Sequence, residues 1–203
     1  MPIKLKTSAR RSRRNRKIAI VAVVIAVIAI AAGLVFIYGQ PAPTIPLVVQ
    51  GKVFLQTSMG NITIQLRDDK PITSSNFKNL VEQGKYNGTL FYRVIEGFMI
   101  QGGHLNETVS TIPDEIGNNN HNVKGTIAMA NAGPNTASTE FFINVVDNSN
   151  RYAEFDSSYT VFGDVIGGMD VAEAISHVAV HDPTSQSPRP LQDVILISAE
   201  ILP

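Results

Sequence analysis

Two regimes of hydrophobic patterning divide the chain. Residues 18–38 (IAIVAVVIAVIAIAAGLVFIY) form an uninterrupted run of 21 without a charge, and at about 1.5 Å per helical residue such a run matches a hydrocarbon core of roughly 30 Å. From Lys52 onward the apolar residues come in short bursts instead. Val53 and Leu55, then Ile62, Ile64 and Leu66, alternate with polar residues over 52–58 and 61–67, which predicts two strands joined at Met59-Gly60. Residues 73–83 place Phe77, Leu80 and Val81 at helical spacing and stop at Gly84, which predicts a helix with a left-handed cap. A second helix is predicted over 170–178, where Asp170 and Glu173 form a capping-box-like pair and Val171, Ala174, Ile175 and Val178 share one face. Further β-rich runs occupy 91–101, 126–130, 141–146, 159–165 and 194–201, separated by clusters of Gly, Asn, Asp and Pro. Many short strands with only two helices predict a β-barrel or a sandwich.

The run at 18–38 reads as a transmembrane helix; a cleavable signal peptide has a shorter apolar region, about 7–15 residues. Residues 1–17 carry eight Lys and Arg and no acid. The positive-inside rule keeps such a tail cytoplasmic and sends the remainder of the chain across the membrane. Residues 39–46 (GQPAPTIP) hold three prolines, too many for helix interior, so they predict an extended spacer. The expected organisation is a basic tail (1–17), a single membrane span (18–38), a Pro-rich linker (39–46) and one folded domain (47–203), placed at the cell membrane with the domain extracytoplasmic.

Composition sharpens this picture. The chain balances 17 Lys and Arg against 17 Asp and Glu, but beyond Lys17 only nine basic residues face all 17 acids, a net charge of −8. That balance disfavours a nucleic-acid-binding globule. With no cysteine, a lipoprotein anchor, a disulfide scaffold and a Cys-ligated zinc site are all excluded. The four histidines show no metal-ligand spacing, and no Walker A motif, GxGxxG after a strand or GxSxG elbow is present. No metal or organic cofactor is expected. Asn61, Asn87 and Asn106 open Asn-x-Thr triplets that could accept glycans on an exported domain.

Two segments order polar and apolar residues in a way periodicity does not explain: FYRVIEGFMIQGG over 91–103 and AMANAGPNTASTEFFI over 128–143. On these the chain resembles the cyclophilin family of peptidyl-prolyl cis-trans isomerases, and the resemblance spans about 47–203, including TSMGNITIQL, YTVFG at 159–163 and RPLQDV at 189–194. It implies a mainly-β fold, a closed eight-stranded antiparallel barrel capped by two α-helices, with a monomeric domain binding Pro-containing polypeptides on the outside of the barrel. Residue by residue, Arg93 matches the family's catalytic arginine. Phe98, Met99 and Gln101 match residues of the proline pocket and peptide groove, and Ala130, Asn131 and Ala132 the stretch that holds the substrate main chain. Phe142 matches the pocket floor, while Phe155 and Tyr159 stand where the family usually has a leucine and a histidine at the rim.

Four departures from the pattern carry consequences. Tyr92 replaces a histidine and Glu96 a proline, neither expected to touch the chemistry directly. Glu140 replaces a glutamine, puts a negative charge in the groove and could pair with Arg93. Glu154 stands where an aromatic associated with cyclosporin binding is common, with Tyr152 near enough in sequence to substitute, so the resemblance does not carry drug binding over. The expected function is isomerisation of Xaa-Pro bonds in exported or cell-surface proteins. The alternative is a Pro-peptide-binding or chaperone module with weak turnover, and a purely structural barrel would leave the groove residues replaceable.

Overall fold

In the computed structural model, residues 51–117, 119–149, 151 and 154–203 are described. The predicted span at 18–38, its basic tail, the linker and Tyr152 lie outside them. Among the described residues no helix is long and apolar enough to cross a membrane.

The alternating runs become strands as expected. β1 (Lys52–Thr57) and β2 (Gly60–Leu66) form an antiparallel hairpin in which Thr57 faces Gly60. Helix α1 (Pro71–Glu82) begins at Pro71, whose missing N–H is no loss in a first turn. It ends with Gly84 N donating to Val81 O and Lys85 N to Leu80 O, the paired bonds of a Schellman cap. There follow β3 (Thr89–Leu90), β4 (Arg93–Ile95), β5 (Met99–Gly102), β6 (Thr126–Met129) and β7 (Phe141–Asn144). The one-turn helix α2 (Phe155–Ser158), β8 (Val161–Gly167), α3 (Met169–Ser176) and β9 (Ile195–Leu202) complete the order. The strands make one antiparallel sheet in the order β3-β9-β1-β2-β8-β6-β7-β5-β4. Its two ends, β3 and β4, are separated along the chain only by Phe91-Tyr92, so the sheet must curl to bring them together.

Curling gives the sheet an inside and an outside. Val53, Leu55, Ile62, Ile64, Ile100, Ile127, Ile143 and Phe162 fill the inside with Phe77 and Leu80 of α1. Phe77 packs at 5.1 Å from Tyr86, 5.4 Å from Phe141 and 5.0 Å from Phe162 between ring centroids. Residues one step along the same strands point outward, and on β5 to β8 they are buried as well: Met99, Ala128, Phe142 and Val161 join Phe98 and Phe155 in a second cluster. Strands covered on both faces lose the polar alternation of a half-exposed sheet. This second cluster is the floor of the site.

Several expectations need correction. The sheet has nine strands instead of eight, and no ladder joins β3 to β4 among the described residues, so it is a curled sheet and not a closed cylinder. The backbone donors on that side are spent elsewhere: Phe91 N bonds Val194 O and Val94 N bonds Pro188 O. The run predicted as one strand over 91–101 breaks at Glu96-Gly97, where Gly97 has φ 63°, a conformation that glycine adopts without strain. The described residues contain three helices where two were expected, α2 being too short for any periodicity to reveal. Asp170 is not a cap. Helix α3 starts after Gly168 with no side-chain cap and ends at Ser176, before Val178.

Candidate active site

The register of the outer face assembles the site. Arg93 on β4 pairs with Gln101 on β5, Gln101 with Phe142 on β7, and Phe142 with Ala128 on β6. Four strands thus contribute one row of side chains, all on the same side of the pleat. In the next row Ile95 pairs with Met99 and Met99 with Asn144. Residues far apart in sequence become neighbours about one strand spacing apart.

Arg93 is held from several directions. Its Nε donates to Gln186 O at 2.8 Å, and its Nη1 donates to Gln101 Oε1 at 3.0 Å and lies 3.8 Å from Met99 Sδ. Its guanidinium carbon stands 6.0 Å from the centroid of Phe98. A planar fork tethered at Nε and Nη1 has little rotational freedom left.

Beside it opens a cavity of about 400 Å³. Arg93, Phe98, Met99, Gln101, Ala130, Asn131, Phe142, Phe155 and Tyr159 all line it. Its aromatic walls are mutually packed: Phe142 lies 5.7 Å from Phe155 and 5.4 Å edge-on from Tyr159, Phe98 lies 5.7 Å from Phe155, and Phe155 lies 4.8 Å from Tyr159. Pairs at these spacings and tilts are the favourable ones for aromatic quadrupoles. The size and the aromatic walls suit a small ring, with the Arg93 cation and polar groups beside it.

Two of the residues singled out from sequence lie off this cavity. Ala132 is exposed, its N donating to Thr136 Oγ1 at 2.9 Å within the 131–136 turn. Glu140 sits behind Gln101. Its Oε2 accepts from Tyr92 Oη–H at 2.5 Å and from Gln101 Nε2 at 2.9 Å, and its Oε1 is 2.8 Å from His104 Nδ1. Gln101 Nε2 also donates to Tyr92 Oη at 2.6 Å. With both amide protons committed on that side, Gln101 Oε1 must face Arg93. Glu140 therefore reaches the guanidinium through Gln101, and Tyr92, expected to stand apart, is a member of the network. Burial first, then the hydrogen bond to Glu140, holds the Tyr92 phenol well above its ordinary range, so it remains a donor. Asn131 spends its side chain internally, Nδ2 donating to Ser158 O at 2.7 Å and Oδ1 accepting from Gly133 N at 3.3 Å.

Other residues at the site escape a reading by sequence. Arg151 places its guanidinium carbon 4.8 Å from the centroid of Phe98 and donates from Nη1 to Gly97 O at 2.6 Å. Ser158 lines the cavity, together with Glu154, one of the departures noted in the sequence. Asn120, part of a run that reads as an ordinary loop, is buried; its Nδ2 donates to Tyr159 O at 2.8 Å and its Oδ1 accepts from Val161 N at 2.8 Å. The only sequence signal for Asn120 is the density of asparagine between the strands.

Comparison with known proteins bears on the same region. The family profile described as cyclophilin type peptidyl-prolyl cis-trans isomerase/CLD matches residues 52–201. A peptidyl-prolyl cis-trans isomerase of Acinetobacter baylyi is 42% identical over 158 residues, covering 73% of this chain and 84% of that protein. Peptidyl-prolyl cis-trans isomerase B of Escherichia coli is 40% identical over 161 residues, covering 73% and 98%. Among solved structures, a cyclophilin type peptidyl-prolyl cis-trans isomerase of Cryptosporidium parvum superposes with a TM-score of 0.67 at 24% identity, over 76% of this chain and 98% of that one, a likeness of fold. A profile match across most of the chain, with these relatives covered over 84% and 98% of their length, makes the chain an enzyme of the cyclophilin-type peptidyl-prolyl cis-trans isomerase family.

Proposed function

We propose that Arg93 is the catalytic residue, that the aromatic cavity takes the proline ring, and that the substrates are exported or cell-surface proteins. The observation that carries the site reading is a guanidinium tethered to Gln101 and Gln186 at the mouth of an aromatic cavity.

Amide resonance gives the Xaa-Pro bond a rotation barrier of roughly 18–20 kcal/mol. No covalent bond breaks, so catalysis means binding the twisted amide better than either planar form. In the twisted state the prolyl nitrogen regains a lone pair and becomes pyramidal. Arg93, charged at every working pH and already oriented, supplies N–H donors to that nitrogen without reorganising. Phe98, Met99, Phe142, Phe155 and Tyr159 grip the pyrrolidine ring. Gln101 and the main chain of 130–132 hold the flanking peptide, so one side of the bond turns against an anchored other side. Glu140 contributes by fixing the Gln101 amide. The domain needs no partner copy for this arrangement and acts as a monomer.

The exported setting rests on residues 18–38 and the eight basic residues before them. A single span would hold the N-terminus in the cytoplasm and residues 47–203 outside. Two measurements test these readings. Exchange of a short Xaa-Pro peptide should be accelerated by the chain and lost in Arg93→Ala; a folded Arg93→Ala variant of unchanged rate removes Arg93 from the mechanism. Protease added to intact cells or spheroplasts should digest the domain, and digestion only after lysis reverses the topology.

A further inference from the structure

Behind the two walls of the cavity, three fully buried asparagines, Asn122, Asn144 and Asn148, form one hydrogen-bonded ladder. Asn148 Nδ2 donates to Phe98 O at 2.9 Å and to Asn144 Oδ1 at 2.8 Å. Asn144 Nδ2 donates to Asn122 Oδ1 at 3.2 Å and to Thr126 Oγ1 at 2.9 Å. Asn122 Nδ2 donates to Asp156 Oδ1 at 3.2 Å and to Phe155 O at 3.5 Å, while its backbone N donates to the same Asp156 oxygen at 2.7 Å. Asn148 donates both ways, to the carbonyl of Phe98 and into a chain that ends on the helix carrying Phe155. Those two residues are adjacent walls of the cavity, their rings packed at 5.7 Å, one on the turn before β5 and the other on α2.

We infer that Asn122, Asn144 and Asn148 are positioning residues that set the distance between the Phe98 and Phe155 walls, and so the fit of the cavity to the proline ring. Two observations favour this over a purely structural role. The first is where the ladder ends: on the backbone of both wall residues, the atoms that fix where their rings stand. The second is its cost. Asn148 Oδ1 is buried without a hydrogen-bond partner among the described residues, and an unsatisfied buried acceptor is destabilising. Truncation at 148 removes the orphaned oxygen but takes one donor each from Phe98 O and Asn144 Oδ1.

The inference rests on the reading of the cavity as the proline site, and the test keeps the two apart. The full 203-residue chain in detergent micelles is compared with Asn148→Ala, which removes the bond to Phe98, Asn144→Thr, which interrupts the middle of the ladder, and Arg93→Ala. KM and kcat for a short Xaa-Pro peptide are read by exchange NMR, well below each variant's melting temperature. Whichever ladder variant folds is expected to raise KM about tenfold, the equivalent of one net buried hydrogen bond, with kcat within about twofold. A merely structural ladder predicts a lower melting temperature with the KM of the parent chain. That result, with Arg93→Ala inactive, overturns the positioning role and leaves the site reading standing. Full activity in a folded Arg93→Ala variant overturns the site reading, and this inference with it.

Discussion

Arg93 and Gln101 are direct cross-strand partners on β4 and β5, and Arg93 Nη1 donates to Gln101 Oε1 at 3.0 Å. The register of two short strands therefore aims the guanidinium before any peptide arrives. Loss of one preorganised donor of this kind should cost on the order of 10²–10³ in rate, so Arg93→Ala is expected to lose that much with an unchanged circular dichroism spectrum. Arg93→Lys keeps the charge but cannot bridge Gln186 O and Gln101 Oε1 as a planar fork, and should recover only a small part of the loss. Peptide exchange rates of the two variants check both statements.

Arg151 stands 4.8 Å from the centroid of the Phe98 ring and anchors itself on Gly97 O. Arg151→Ala removes a cation–π contact and a tether on the β4–β5 turn. KM for an Xaa-Pro peptide should rise about two- to fivefold, matching a contact of roughly 0.5–1 kcal/mol, with kcat nearly unchanged. An unchanged KM would show that the Arg151 contact does not help to hold the Phe98 wall.

Tyr86 is fully buried and donates to Thr139 O at 2.8 Å, and burial drives its phenol far above the usual value. In the unfolded chain the phenol ionises near pH 10 or so. The native state holds its proton beyond that point, so the stabilisation is complete below about pH 10 and is lost as pH rises further. Tyr86→Phe should cost about 1 kcal/mol at neutral pH and lose less stability than the parent chain between about pH 9 and 11. Urea melts across that range measure it, and equal slopes would refute the assignment.

Gly103 follows β5 with φ 79°, and a Cβ there would stand 2.6 Å from Thr139 O and 2.8 Å from the Phe141 ring. Backbone and a core ring on that side cannot both yield. Gly103→Ala should destabilise the domain by about 2–4 kcal/mol, combining strain with overpacking. A melting temperature close to that of the parent chain would show that the end of β5 shifts at little cost.

How far the sequence could be read depends on which interactions encode each element. β1, β2 and α1 carry their signals locally, as alternation or as a Phe77, Leu80, Val81 stripe closed by Gly84, and they formed close to where expected. The Arg93, Gln101 and Phe142 row was visible only through the two motifs that carry the family resemblance, since no strand or helix period explains their order. The break at Glu96-Gly97 was hidden because one continuous apolar run reads as one strand. The asparagines were hidden for a different reason: their side chains are satisfied by partners far along the chain, so in isolation each looks like loop composition. Glu140 shows the intermediate case. Its charge was evident, but its route to Arg93 through Gln101 depends on Tyr92, which only the curled sheet brings to the same place.

The sheet order carries one more consequence. Its terminal strands are only two and three residues long, Thr89–Leu90 and Arg93–Ile95, and the two residues between them tie one end to the other. Long unpaired edges recruit extended chains from solution and seed aggregates. For an isomerase of proline-containing peptides, a sheet whose margins are this short offers an extended substrate little template at its rim.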